Sequence, residues 1–296
     1  MPFVRAGLKP APTTGKLFTM SDSLKQYVQQ ITQLPTIPVV AEQILKLVHD
    51  ERTSVDKLSN IIENDPPITA KILSVANSAF FGYKIMTKTI HDSILRIGFN
   101  NVRDVALGVS LMTVFEDREG KLRAFDYQRI FNHSVTVGAV AQLISKDLKL
   151  KFTNEIFMNG ILHDLGYLVL NKYFPDTYMQ VLGVFEKIKD LLEAEEAVFD
   201  FTHAEIGAWL AEKWNLPEGV LNAVLYHHKP SLATGNSDRV AVIHIADYIV
   251  SRGLFSVISD NPNYPLDPAA LSILKISEDY IKEVEGKINT GEVSLM

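Results

Sequence analysis

The sequence predicts an all-α protein. Apolar residues recur at the three-to-four-residue spacing of a helix over most of the chain, while the strict alternation of a strand is nearly absent. Residues that start and stop helices stand where that period begins and ends. At 296 residues the chain can form one large domain or two ordinary ones.

The first elements form a compact block of about five helices between residues 20 and 115. After Pro38, the residues Val40, Ile44, Leu47 and Val48 make one stripe. Ser54 can cap a segment in which Leu58, Ile61 and Ile62 share a face. Pro66 and Pro67 suit a first turn, where a missing N–H costs little, and Ile68, Ile72, Leu73 and Val75 follow. Ile90, Ile94, Leu95 and Ile97 form the next stripe, and Gly98 is its expected stop. Val102, Val105, Ala106 and Val109 define a helix over 101–115.

A charged stretch with a glycine, EDREGKLRAFD, spans 116–126 and is expected to connect two halves. The second half, 127–252, opens with a long helix over 127–148 that carries Ile130, His133, Val137, Val140 and Ile144. A strongly apolar helix is expected over 154–171, with His163 and Asp164 inside it. Thr202 and Glu205 have capping-box spacing, which puts His203 in the first turn of a helix reaching about Trp214. Pro217 opens the next helix, and Pro230 ends it just after His227 and His228. A last strong pattern, over 239–251, places Val240, Ile243, Asp247 and Val250 on one face. The extension over 253–296 is weakly patterned, with a proline-marked loop and a terminal helix. Residues 1–19 hold three prolines and no helical period, so they read as an arm with nothing to bury, and Met20 is a candidate start.

Composition narrows the function. With 47% apolar residues a core is assured, and no apolar run reaches the roughly 18 residues of a membrane span. A net charge of −6 without a basic run disfavours nucleic acid, whose binding wants a cationic face. The absence of cysteine excludes disulfides and thiolate metal sites. The amino terminus lacks the continuous apolar core of a secretory signal, so a soluble, cytoplasmic protein is the expectation.

Chemistry points to seven side chains: His133, His163, Asp164, His203, His227, His228 and Asp247. They include five of the eight histidines. Neutral imidazole and carboxylate together suit iron, manganese, zinc or nickel. Each residue also has a plainer reading. His133 fits a core histidine with one hydrogen bond, His203 a residue at a helix start, and His227-His228 an exposed helix end. Asp164 and Asp247 sit in apolar segments, where a lone carboxylate is costly. Arg239 or Lys229 could neutralise them instead of a metal. His49, His91 and His244 read as surface or core filler.

The order of these residues resembles the HD superfamily of metal-dependent phosphohydrolases, and most of all its HD-GYP branch and the related HDOD domain. LPTIPVVAEQILKLV, IIENDPPITAKILSVANSAFFG and TIHDSILRIGFNNVRDVAL are similar to the amino-terminal block of HDOD proteins. GILHDLGYLVL, HAEIGAWLAEKWNLP and AVLYHHKP match that family's second half. The resemblance covers roughly residues 30–235. It implies a small amino-terminal helical bundle followed by an HD-type bundle. It also implies a role as a signalling output acting on a protein partner, and HD-type ligand positions at the seven residues above, with two divalent metal ions.

The sequence also departs from the hydrolytic relatives. Tyr167 stands where HD-GYP enzymes usually carry a lysine three residues after the HD aspartate. KPSLATGNSDRV follows the double histidine in place of a GYP loop, and Arg129 replaces the glutamate of three-metal variants. The expected function is therefore regulatory. An active phosphohydrolase or phosphodiesterase on a nucleotide or other phosphoester, and a metal-free helical scaffold, are the alternatives. Phe80, Phe81 and Tyr83, at a glycine-containing turn, are the candidate partner surface.

Overall fold

The computed structural model describes residues 18–48, 54–78, 86–115, 126–153, 155–252 and 264–289. These residues form helices and connecting turns, with no strand among them. Phe80, Phe81, Tyr83 and most of the 116–126 connection lie outside the described residues.

The amino-terminal block consists of α1 (Asp22–Gln29), α2 (Val39–Val48), α3 (Val55–Glu63), α4 (Pro66–Ala76), α5 (Ile90–Ile97) and α6 (Phe99–Thr113). The expected start signals act as anticipated. Ser54 Oγ accepts from the Lys57 N–H, Asp65 caps the turn opened by Pro66 and Pro67, and Gly98 ends α5 at φ 90°. Helix α6 is buried without interruption from Asn101 to Met112 and packs on both halves of the molecule.

The carboxy-terminal half comprises α7 (Tyr127–Asp147), α8 (Ile156–Leu162), α9 (Leu165–Tyr173), α10 (Pro175–Ile188), α11 (Leu191–Phe199), α12 (His203–Lys213), α13 (Glu218–Tyr226), α14 (Ser237–Ser251), α15 (Pro268–Leu274) and α16 (Glu278–Asn289). Helix α7 is the central post, flanked by α8 and α14, with α9 against α12 beside it. One apolar core runs through both halves, from Leu24 and Ile44 to Val224 and Val240.

Three features differ from expectation. The single helix expected over 154–171 is broken, because Asp164 leaves helical geometry at φ −98°, ψ 22°. Successive helical side chains point about 100° apart, so a break lets His163 and Asp164 face one place. The arm expected over 1–19 has a buried end: Phe18 is 8% exposed in the core, and Met20 packs beside it. Helices α1, α10 and α11 are additions to the expected elements, and the extension holds two helices, α15 and α16, where one was expected. Helix α1 docks on the far half, where the Tyr27 ring sits edge-on to Phe174, Phe199 and Phe201 at 5.1, 5.1 and 5.2 Å.

Candidate metal centre

Five places in the fold deliver the seven side chains to one point. His133 projects from the middle of α7. His163 and Asp164 occupy the break between α8 and α9. His203 is the first residue of α12, fixed by a capping box in which the Thr202 N–H donates to Glu205 at 2.8 Å. His227 and His228 follow α13, and Asp247 comes from α14. The helices approach closely because glycines face each other: a Cβ on Gly160 would lie 2.3 Å from Gly138 Cα.

The side chains divide into two groups around Asp164. On one side, His133 Nε2 lies 3.4 Å from Asp164 Oδ2 and 3.2 Å from Asp247 Oδ1. His163 Nε2 lies 3.2 Å and 3.9 Å from the same two oxygens. On the other side, His203 Nε2 and His227 Nε2 are each 3.5 Å from Asp164 Oδ1. His228 Nε2 is 2.9 Å from His203 Nε2. His133, His163 and Asp164 form one group that could hold a metal ion, His203, His227 and His228 form another, and His163, His227 and Asp247 form a third that draws on both sides. His163 Nε2 is buried and has no hydrogen-bond partner among the described residues.

The opposite ring nitrogens are held by acceptors. His163 Nδ1 faces the Gly160 carbonyl at 2.7 Å, and His227 Nδ1 the Val224 carbonyl at 2.9 Å. His203 Nδ1 meets the Glu195 carboxylate at 2.8 Å. A carbonyl or carboxylate at Nδ1 fixes the proton there and turns the Nε2 lone pair inward, the tautomer a metal requires.

Electrostatics match a site built for cations. Burial opposes a charged His133, yet its hydrogen bonds to Asp164 and Asp247 prevail and push its pKa up to about 10. Burial likewise opposes ionisation of Asp164 and Asp247, but the neighbouring imidazoles hold both well below the usual carboxylate range. His203 is raised because Glu195 outweighs its burial. His227 moves the other way, to about 3, because burial and the nearby His163 disfavour its charge. Arg239 and Lys229 do not serve as the neutralising cations: Arg239 pairs with Glu155 at 2.6 Å and Lys229 with Glu196 at 3.7 Å.

Further residues support the centre, and of these Glu195 and Tyr264 had no sequence signal. Glu195 lies within α11 and binds both the backbone N–H and the ring of His203. Ser251, one turn after Asp247, donates to Asp247 Oδ1 at 2.8 Å; an i, i+4 spacing could have suggested it. Tyr264, in the weakly patterned extension, reaches His228 and Asp247. His244 is a buried link, donating to the His227 carbonyl at 2.7 Å and accepting from the Asp267 N–H at 2.8 Å. Tyr167 is 3% exposed and stacks on the His203 ring at 4.1 Å between centroids.

A profile of the HDOD domain matches residues 34–230, two thirds of the chain. The chain belongs to the HDOD domain family. Six of the seven candidate ligands fall inside the matched HDOD region, and Asp247 falls beyond it. An uncharacterized protein of Treponema pallidum (strain Nichols) is 23% identical over 201 residues, which are 67% of this chain and 38% of that relative. An HDOD domain protein of unknown function from Geobacter sulfurreducens superposes with a TM-score of 0.76 at 21% identity, over 92% of this chain and 96% of that one. A protein from Shewanella amazonensis SB2B, named as a candidate phosphohydrolase, gives 0.70 at 22% over 93% and 97%. A candidate signal transduction protein from Marinobacter aquaeolei VT8 gives 0.72 at 20% over 92% and 63%. These likenesses show the shared fold. No helix among the described residues is long and apolar enough to cross a membrane.

Proposed function

We propose that this HDOD protein is a signal-transduction component whose carboxy-terminal half holds two divalent metal ions and whose helical surface acts on a protein partner. His133, His163, Asp247 and Asp164 Oδ2 would hold one ion. His203, His227, His228 and Asp164 Oδ1 would hold the other. The donor set of imidazole and carboxylate suits iron, manganese, zinc or nickel. The observation that carries the reading is Asp164, whose two oxygens face two separate histidine groups inside the core, while Lys229 and Arg239 are paired elsewhere with Glu196 and Glu155. The likeness to the candidate signal transduction protein supports a regulatory role. Element analysis of protein purified without chelator should find close to two metal ions per chain, and His163→Ala should lower that content. Equal content in the two proteins would remove the reading.

The second reading is a phosphohydrolase, favoured by the carboxylate shared between two histidine groups. Two ions held this way would supply Lewis acidity to a phosphoester. Tyr167 weakens this reading. It stands at the position where the resemblance places a lysine, and its ring is buried against His203. A neutral phenol also holds phosphate less strongly than a cation does. Little or no hydrolysis of cyclic di-GMP is expected. Robust metal-dependent turnover that Asp164→Ala abolishes would put the enzyme first.

A further inference from the structure

Among the four candidate ligand histidines described with an anchor at Nδ1, His228 is the exception. His163 and His227 are held by carbonyls of the preceding helical turn, and His203 by Glu195. The anchor of His228 comes from the carboxy-terminal extension, beyond the region that matches the HDOD profile. Its Nδ1 lies 2.8 Å from the Tyr264 hydroxyl. That same hydroxyl donates to Asp247 Oδ2, while Oδ1 of that carboxylate lies 3.2 Å from His133 Nε2 and 3.9 Å from His163 Nε2.

The direction of these bonds follows from chemistry. A hydroxyl has one proton and two lone pairs. The Asp247 carboxylate takes the proton, so Tyr264 is left as an acceptor toward His228. An acceptor at Nδ1 selects the tautomer protonated there and leaves the Nε2 lone pair directed at His203 and His227. Tyr264 therefore ties a residue of one histidine group to a carboxylate of the other. The segment carrying it is pinned twice more, where the Asp267 N–H donates to His244 and Asp267 Oδ2 accepts from the Ser231 N–H. Tyr264 itself is 7% exposed.

We propose that Tyr264 is a positioning residue for the metal centre, one that sets the tautomer of His228 and makes filling of the second position depend on the first. An ion on Asp247 Oδ1 would fix that carboxylate, which fixes the Tyr264 hydroxyl and in turn His228. This proposal rests on the two-metal reading above.

The test is stepwise addition of Co2+ to chelator-stripped full-length protein, followed by visible absorption, with thermal melting of the metal-free proteins alongside. Wild type should take up two Co2+. Tyr264→Phe keeps the ring and removes only the hydroxyl. It should keep the first uptake, weaken the second by about 10–100-fold, as loss of an outer hydrogen-bond partner commonly does, and alter the second spectrum. His228→Ala should lose the second uptake outright. With His228 already replaced, Tyr264→Phe should leave the first uptake unchanged. Two unchanged uptake steps in Tyr264→Phe would overturn the proposal while leaving the two-metal reading intact. So would an equal weakening of both steps together with a lowered metal-free melting point, which would mark Tyr264 as a packing residue. Failure of wild type to bind Co2+ would overturn both.

Discussion

Gly166→Ala tests how the centre is held together. Gly166 follows Asp164 by two residues and lies at the crossing of α9 with α12. A Cβ there would stand 1.8 Å from the His203 carbonyl oxygen and 2.6 Å from its carbon, whereas real Cβ contacts essentially never fall under 3.0 Å. The obstacle is backbone, so no rotamer change relieves it, and the helices must part by about an ångström. Overpacking of this kind costs about 1–3 kcal/mol and occasionally more; the backbone clash places Gly166→Ala near the upper end. The gain of alanine over glycine within a helix offsets only about 0.5–1 kcal/mol. A net loss of about 2 kcal/mol lowers Tm by roughly 4–8 °C for a chain of this size. The displacement also separates Asp164 from His203, so metal content should fall. Gly183 in α10 is the matched control: it is exposed, and nothing lies within 4 Å of an added Cβ. Gly183→Ala should raise stability by about 0.5–1 kcal/mol. Thermal melting and element analysis read both variants. A Gly166→Ala protein that melts with wild type and keeps its metal would refute the close-approach argument.

Two further outcomes follow from the groups around the ligands. Glu195→Gln should lower metal affinity about 10–100-fold, because it removes the carboxylate that orients His203; a competition titration showing unchanged affinity would count against it. Metal affinity should also rise with pH, by about tenfold per unit for one displaced proton, up to the His133 value of about 10. His227, already neutral above about 3, adds no slope. In the metal-free protein the sign is opposite. A raised histidine pKa means that the stability from the His133 pair is full below the ordinary value near 6.5 and is lost as pH rises through 10. Calorimetry in buffers of different ionisation heat would detect the released proton; none released at pH 8 would refute this.

The fold was largely legible because its helices carry their own punctuation. Ser54, Asp65, Pro66, Gly98, Thr202 with Glu205, and Pro217 act locally, through hydrogen bonds or fixed dihedrals that need no distant partner. The structure brings together all seven predicted side chains, which lie in or directly beside helices whose period was clear. The break at His163-Asp164 was not legible, since the surrounding residues are apolar on every side and continue a helical pattern. Two residues beyond the break, α12 approaches Gly166, a contact between residues far apart in sequence. Glu195 and Tyr264 were hidden likewise. A glutamate in LLEAEEAVF looks like a solvated face until His203 is placed against it. Tyr264 sits in a proline-marked stretch without period, and its partners come from two other elements.

Asp164 supplies the sharpest test of a shared centre. Asp164 and Asp247 are 4% and 2% exposed, while Lys229, Arg239 and Arg252 pair with Glu196, Glu155 and Glu285 and Lys172 donates to the Val114 carbonyl. Without metal, the charge facing these carboxylates is carried by protonated imidazole, above all His133. Divalent ions replace that proton with a larger charge in a low-dielectric place, so binding should stabilise the folded chain. At a free concentration of 100 times the Kd of each step, each filled position adds about 2.7 kcal/mol, and two add about 5 kcal/mol. At roughly 2–4 °C per kcal/mol, metal should raise Tm by about 10–20 °C over the chelator-stripped protein. Removing a ligand of one position should leave part of that gain, so His228→Ala should keep about half. Asp164→Asn, which replaces one of the two facing oxygens by an amide nitrogen and leaves the other uncharged, should lose nearly all of it. The comparison is made between each variant with and without metal, so the intrinsic cost of the substitution cancels. If Asp164→Asn and His228→Ala lose the same share, Asp164 serves one position and the centre is not bridged.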